Sequence, residues 1–495
     1  MSTAAGSRTT HPTSVAGEVV RERAWSIAIW TVMVGWSAIL FVIARDAYAT
    51  FRTGRFDLGN MVQAVWSTAH GHPLEVTHGA GEQITRLGSH VDPFLALLAP
   101  LWLIWPSPLV LALAQIVVVA LGALPVWWLG RRHLGSEHVA GLLALGYLAY
   151  PWVSTSAVAA IHPVTFAITF YLFCVWFLDT NRLVLFALFA ALAMSTGELM
   201  GLPVLGLGIW YALARRRRCE GAAIAAAGLA WTTIAVFAIV PRFSGEESMY
   251  FGFYDEVGGS PLGVIRTLFT DPSVVLGALV ESHDIVYLVW LGLPLLFLFV
   301  LSPGLALVAL PQLLANSLSD FRSMTDPRYH SVAAVIPFLI AATVLGMARV
   351  RESRRPTAAA GILVSSLVLA LAIGPWVRSV GLAPLGGRES VPAERAAALR
   401  DAVALVPRDA PVSASNTAAA HLSARRYVYS IPVLRRANWV VVDRVDPWIV
   451  TPDSPILTNH PEVVEAFLQR LERDAAWQKV FDEAGVVVLR RSAEG

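Results

Sequence analysis

The chain reads as a polytopic α-helical membrane protein with a small α/β domain at its C-terminal end, and three observations predict this. Of 495 residues, 56% are hydrophobic and only 15% are charged, which leaves a soluble fold no means of hiding its apolar surface. Apolar runs recur at the roughly 17 to 25 residues that a helix needs to cross about 30 Å of hydrocarbon, where only helices and closed barrels satisfy their own backbone. Beyond residue 379 the pattern changes to alternating helical and strand periods.

Residues 1–24 open on a Ser-, Thr-, Ala- and Gly-rich stretch without an apolar core, which predicts a disordered cytoplasmic tail and an uncleaved first span. The apolar segments that follow are 25–45, 108–130, 138–158, 164–178, 183–197, 199–214, 221–240, 285–301, 303–318, 331–348 and 358–377. They make about eleven crossings within a membrane domain spanning 25–378. With the N-terminus inside, Arg21, Arg23, Arg131, Arg132, Arg182, Arg215 to Arg218, Arg349, Arg351, Arg354 and Arg355 all fall on the inner side. Arg45, Arg52 and Arg55 are the exceptions. The segment around Glu198 also reads as one long kinked helix, which would move the C-terminal domain inside; the Arg bias favours two short spans and an extracytoplasmic domain at 379–495.

Outside lie two large loops, about 46–107 and 241–284, and the C-terminal domain. In the first loop, 93–105 is too short to cross and ends at Pro106-Ser107-Pro108, so it reads as an interfacial helix beside a lateral lipid entrance. In the C-terminal domain, helical spacing at 394–406 and 461–476 alternates with strand patterns at 410–415, 439–443 and 485–490. Cys174 and Cys219 both lie in or inside the membrane, which leaves no disulfide framework for the outer face.

The polar residues at that outer level are the functional signal. They are Phe56-Asp57-Leu58-Gly59-Asn60, Ser89-His90-Val91-Asp92-Pro93, Ile161-His162-Pro163, Thr196-Gly197-Glu198 and Asp326-Pro327-Arg328-Tyr329-His330. Ionisable groups at span ends are costly enough to point to function. Each also has a plainer reading. Asp57 suits the N-cap of a short helix, His90 and Asp92 punctuate the loop before Pro93, and His162 and His330 are ordinary interfacial hydrogen-bonding groups. His70, His72 and His78 lie among Gly71, Pro73 and Gly79 and read as flexible loop rather than a metal cluster.

In order and spacing these pieces, together with Ala123-Leu124-Pro125, Leu310-Pro311 to Asn316 and Tyr329-His330 to Pro337, resemble a bacterial family of predicted polytopic membrane proteins of unknown function. That family is allied to the GT-C glycosyltransferases, which use polyprenyl-phosphate sugars. The resemblance covers about 25–350 and, more loosely, the C-terminal domain. Where relatives carry a Lys-Glu-acid triplet, this chain has Gly197-Glu198-Leu199, so a basic phosphate contact is missing there or supplied elsewhere.

The resemblance implies a GT-C-like fold and an inverting enzyme that moves a monosaccharide from a polyprenyl-phosphate donor to a cell-envelope glycan, lipid or protein. The reaction would run on the outer face of the bacterial cytoplasmic membrane, with membrane lipid as a further partner and no nucleic acid. It implies Asp57 and Glu198 as catalytic carboxylates, Asp57 being the base that deprotonates the acceptor. Arg52, Arg55, Arg86, His90, His162, Arg328, Tyr329 and His330 are the candidates to hold donor phosphate or substrate. Asp57, His90 and Asp92 form an alternative site for a divalent ion, Mg or Mn. A transporter or flippase is the competing class, but transporters place polar sites at the midplane between repeated halves, and no internal repeat is visible here. A non-catalytic assembly protein would leave the outer polar residues without a shared purpose.

Overall fold

The computed structural model describes residues 12–159, 161–246, 249–279, 281–375, 391–451 and 454–492. Four helices are long and apolar enough to cross a membrane: Glu22–Ala49, Pro108–Leu134, Arg218–Ser244 and Glu352–Ile373. The pair Pro272–Ala278 and His283–Leu295, bent by 51°, adds a fifth if it is one span. Shorter apolar helices are Pro93–Ile104, Glu137–Ala149, Pro163–Asp179, Leu183–Met194, Glu198–Ala214 and Ile336–Met347.

The expected crossings are therefore present in part as short or broken pieces, and the breaks have local causes. Pro151 divides the segment 138–158 into Glu137–Ala149 and Pro151–Ala159, because its ring removes a helical hydrogen bond and clashes with the preceding turn. At the start, the first helix runs back to Pro12, so much of the stretch expected to be a disordered tail continues the span; 1–11 lie outside the described residues.

Pro163–Asp179 and Ile336–Met347 are apolar all round and buried along most of their length, as central helices must be. Arg218–Ile234 and Arg355–Ile373 instead expose Leu229, Ile234, Val364, Val368 and Leu371, as a lipid-facing surface would. Gly201–Ala214 packs against Arg218–Ile234 through a glycine seam. A Cβ on Gly201 would stand 2.1 Å from the Gly228 carbonyl oxygen, and one on Gly208 would stand 2.6 Å from that of Gly221. Small residues let helix backbones approach this closely.

The first loop carries a hairpin of β1 (Glu75–Thr77) and β2 (Gln83–Thr85). The C-terminal domain contains β3 (Val412–Ala414), β4 (Val428–Ser430), β5 (Trp439–Asp443), a hairpin of β6 (Trp448–Thr451) and β7 (Ser454–Asn459), then β8 (Trp477–Glu483) and β9 (Val486–Arg491). Its main sheet has the order β4-β3-β5-β9-β8, parallel in the first three and antiparallel in the rest. Helices Ala393–Leu405 and Asn416–His421 build a core on one face, and Pro461–Arg473 builds one on the other. This is the α/β organisation expected from the sequence, with β4 and β8 added at the edges of the main sheet and the β6–β7 hairpin outside it; the largely exposed residues of β8 give no burial pattern.

The domain is docked on the first loop. Phe51 enters its core, the His421 ring stacks against both Tyr48 and Phe51, and Arg426 pairs with Glu75 at 2.9 Å.

Candidate active site

At the end of the bundle that carries the docked domain, the loop after β2 turns through Arg86–Gly88 and enters the 3-10 helix Pro93–Leu98, with Asp92 at its N-cap. The Phe94 N–H donates to the Ser195 carbonyl at 3.0 Å, which fixes this loop against the end of Leu183–Met194. Arg86 Nε donates to both Asp92 oxygens at 3.0 and 2.8 Å, and both side chains are buried. The terminal amino groups of Arg86 take no hydrogen-bond acceptor among the described residues. Burial raises the Asp92 pKa above the ordinary carboxylate value even though Arg86 and His90 pull it down.

Ser195-Thr196-Gly197 interrupts the helical run and presents Glu198 to this loop. Glu198 Oε2 accepts the Val91 N–H at 3.2 Å, and Oε1 lies 3.4 Å from His90 Nδ1. Burial raises the Glu198 carboxyl, but His90 and these hydrogen bonds outweigh it and leave the pKa below the ordinary value. The other face of His90 meets Tyr250, from the segment Met249–Val257: its hydroxyl is 2.7 Å from His90 Nε2 and the rings stack at 4.8 Å. With Glu198 ionised, His90 Nδ1 carries the hydrogen that faces the carboxylate.

His162 caps the start of Pro163–Asp179, its N–H bonded to Gln115 Oε1 at 3.1 Å, and its ring stacks on His330 at 3.8 Å. Burial first, and then the nearby charges of Arg86 and His90, lower its pKa to about 3, so it is neutral. The structure thus brings together Arg86, His90, Asp92, His162, Glu198 and His330. Arg328 Nε is bound by both oxygens of Asp326 at 2.9 and 3.0 Å, and Tyr329 is half exposed beside it.

Two expected phosphate ligands, Arg52 and Arg55, are engaged by partners within the protein. Arg52 is bonded to Asp46 and Thr50. Arg55 is fully buried at the docked domain, where its guanidinium donates to Ser430 Oγ and the Thr77 carbonyl and its N–H to Asn416 Oδ1. Asp57 lies in the π-helical turn Arg55–Gly59, whose N-cap is Gly54, so the expected N-cap role does not apply; its side chain lies outside the described residues. Of the metal set Asp57, His90 and Asp92, His90 faces Glu198 and Tyr250 and Asp92 faces Arg86; no group of three His, Cys, Asp or Glu side chains gathers as a metal site among the described residues, which do not include the Asp57 side chain.

Sequence reasoning missed Tyr250, which stands in a loop without a motif, and Gln115, a buried amide within an apolar helix and hence a legible signal.

The fold has solved counterparts. The crystal structure of ArnT from Cupriavidus metallidurans bound to undecaprenyl phosphate matches at a TM-score of 0.56 and 12% identity, over 94% of this chain and 98% of that one. The apo state of the same protein matches at 0.51 and 12%, over 94% and 99%. The chain shares the fold of ArnT. No curated protein sequence matches it. The sequence profile of the predicted membrane proteins DUF2079 matches residues 47–488, and the chain belongs to that family.

Proposed function

We propose that the protein is an inverting membrane glycosyltransferase that moves a monosaccharide from a polyprenyl phosphate to a cell-envelope acceptor on the outer face of the cytoplasmic membrane. The observation that carries this reading is the convergence of Arg86, His90, His162, Glu198 and His330 at one end of a bundle with the ArnT fold. Arg86 is held to Asp92 through Nε, which leaves its terminal amino groups for a phosphate, the planar geometry guanidinium matches.

In the reaction, the acceptor hydroxyl oxygen attacks the anomeric carbon and its proton passes to Asp57. The bond from that carbon to the phosphate oxygen breaks, and the electron pair stays on the phosphate. Arg86 and His90 meet the charge that develops there. Glu198 orients His90, and Tyr250 closes its other side. Exposed Leu97, Leu103 and Ile104 on the helix Pro93–Ile104 provide an apolar approach for the prenyl chain.

The test is transfer in proteoliposomes supplied with radiolabelled undecaprenyl-phosphate sugar. Asp57→Asn should lower the rate by about 10²-fold or more, and Glu198→Gln by about 10²-fold, with normal protein yield. Full activity in Asp57→Asn would remove that residue from the base role, and absence of transfer by the wild type with every donor would sink the reading.

A further inference from the structure

Asp284 stands in the first turn of the helix Ser282–Gly292 and is only 2% exposed, yet neither carboxylate oxygen receives a hydrogen bond among the described residues. His283 Nε2 is 3.9 Å from Oδ2, beyond hydrogen-bonding distance, and the other ring nitrogen faces Glu281 at 3.3 Å. A first-turn acid gains from the helix dipole. That gain is small beside the cost of a buried carboxylate without a donor. In an apolar domain such a group marks a functional site by default.

Its surroundings point to a ligand. Tyr287, one turn further along the same helix, is buried, and its phenol oxygen accepts from Asn316 Nδ2 at 2.9 Å. Asn316 also donates to the Ser331 carbonyl at 3.2 Å, and Ser331 follows His330, whose ring lies on His162. Asn316 thus ties this wall to the backbone of the segment whose His330 ring lies on His162. An ionised carboxylate only accepts hydrogen bonds, so its complement is a ligand rich in hydroxyl donors, and like charge excludes a phosphate.

We propose that Asp284, with Tyr287 and Asn316, forms the subsite that binds the hydroxyl groups of the sugar carried on the polyprenyl phosphate. The proposal rests on the transferase reading and names the part of the donor this wall recognises. A site built to bond hydroxyls holds its polar groups unpaired until the sugar arrives, which stores instability in the free protein.

The test uses purified full-length protein in detergent, with thermal unfolding and affinity measured for undecaprenyl phosphate and for a panel of undecaprenyl-phosphate hexoses and pentoses. The wild type should bind at least one sugar-linked lipid more tightly than undecaprenyl phosphate. Asp284→Asn should raise the Tm of the free protein and lose about tenfold in affinity for that sugar-linked lipid, while binding of undecaprenyl phosphate stays unchanged. A lowered Tm with equal loss for both lipids would make Asp284 a structural residue and overturn the proposal, as would an intact preference for the sugar-linked lipid in the variant. No binding of undecaprenyl phosphate by the wild type would overturn the transferase reading itself, a result distinct from either.

Discussion

Arg86 is anchored by one nitrogen and offers two others, and the anchor is as important as the offer. Its pair with Asp92 is buried on both sides, with side-chain exposures of 6% and 3%. Removing one partner of such a pair leaves an uncompensated charge and costs about 3–5 kcal/mol. Asp92→Asn should therefore lower the Tm and also the affinity for undecaprenyl phosphate, because the guanidinium loses its orientation; thermal unfolding and lipid titration of the same sample check both. Glu198 was legible in the sequence because an acid inside an apolar stretch is expensive. The burial of Arg55 is not legible locally, because its partners, Asn416 and Ser430, lie 361 and 375 positions away. Its neighbours Phe56 and Asp57 gave it the local setting of a site residue. Tyr250 could not be read at all, since only the folded chain brings its segment to His90.

At the scale of elements, the turn Arg55–Gly59 is held by the helix Asn416–His421 and the residues that follow it. A Cβ on Gly59 would stand 2.4 Å from Ser423 Oγ and 3.3 Å from Ala420 Cα. Gly59→Ala should loosen the docked domain by about 1–3 kcal/mol, and adding Ser423→Ala should restore much of the loss. Hydrogen exchange of 55–69 reads this without reference to activity; unchanged protection in Gly59→Ala would contradict it. His421 sets a pH limit on the same contact. Burial, opposed by the Tyr48 hydrogen bond, lowers its pKa to about 3, whereas an unfolded imidazole titrates near about 6.5. Between those values the unfolded chain binds the extra proton, so the stability His421 contributes is complete above about 6.5 and falls as pH drops toward 3. His421→Phe, which keeps the stack on Tyr48 and Phe51, should flatten the loss of Tm between pH 6.5 and 4.5.

At the scale of the whole molecule, the helical membrane class and the α/β C-terminal domain follow from composition and periodicity alone. The number of full crossings does not, because Pro151 and the Ser195-Thr196-Gly197 break cut apolar runs into pieces whose lengths hydropathy does not register. The convergence of five separated polar segments is an expectation from their shared level, and the folded chain joins four of them in two pairs, through Glu198–His90 and through His162–His330. The fifth, at Asp57, is the turn clamped by the docked domain. The central claim is that this end of the bundle receives the lipid phosphate. An experimental structure of the protein with undecaprenyl phosphate tests it most directly: the account predicts the phosphate against the Arg86 terminal amino groups and His90. A phosphate bound at the opposite end of the bundle, or at a site that touches neither residue, would contradict it.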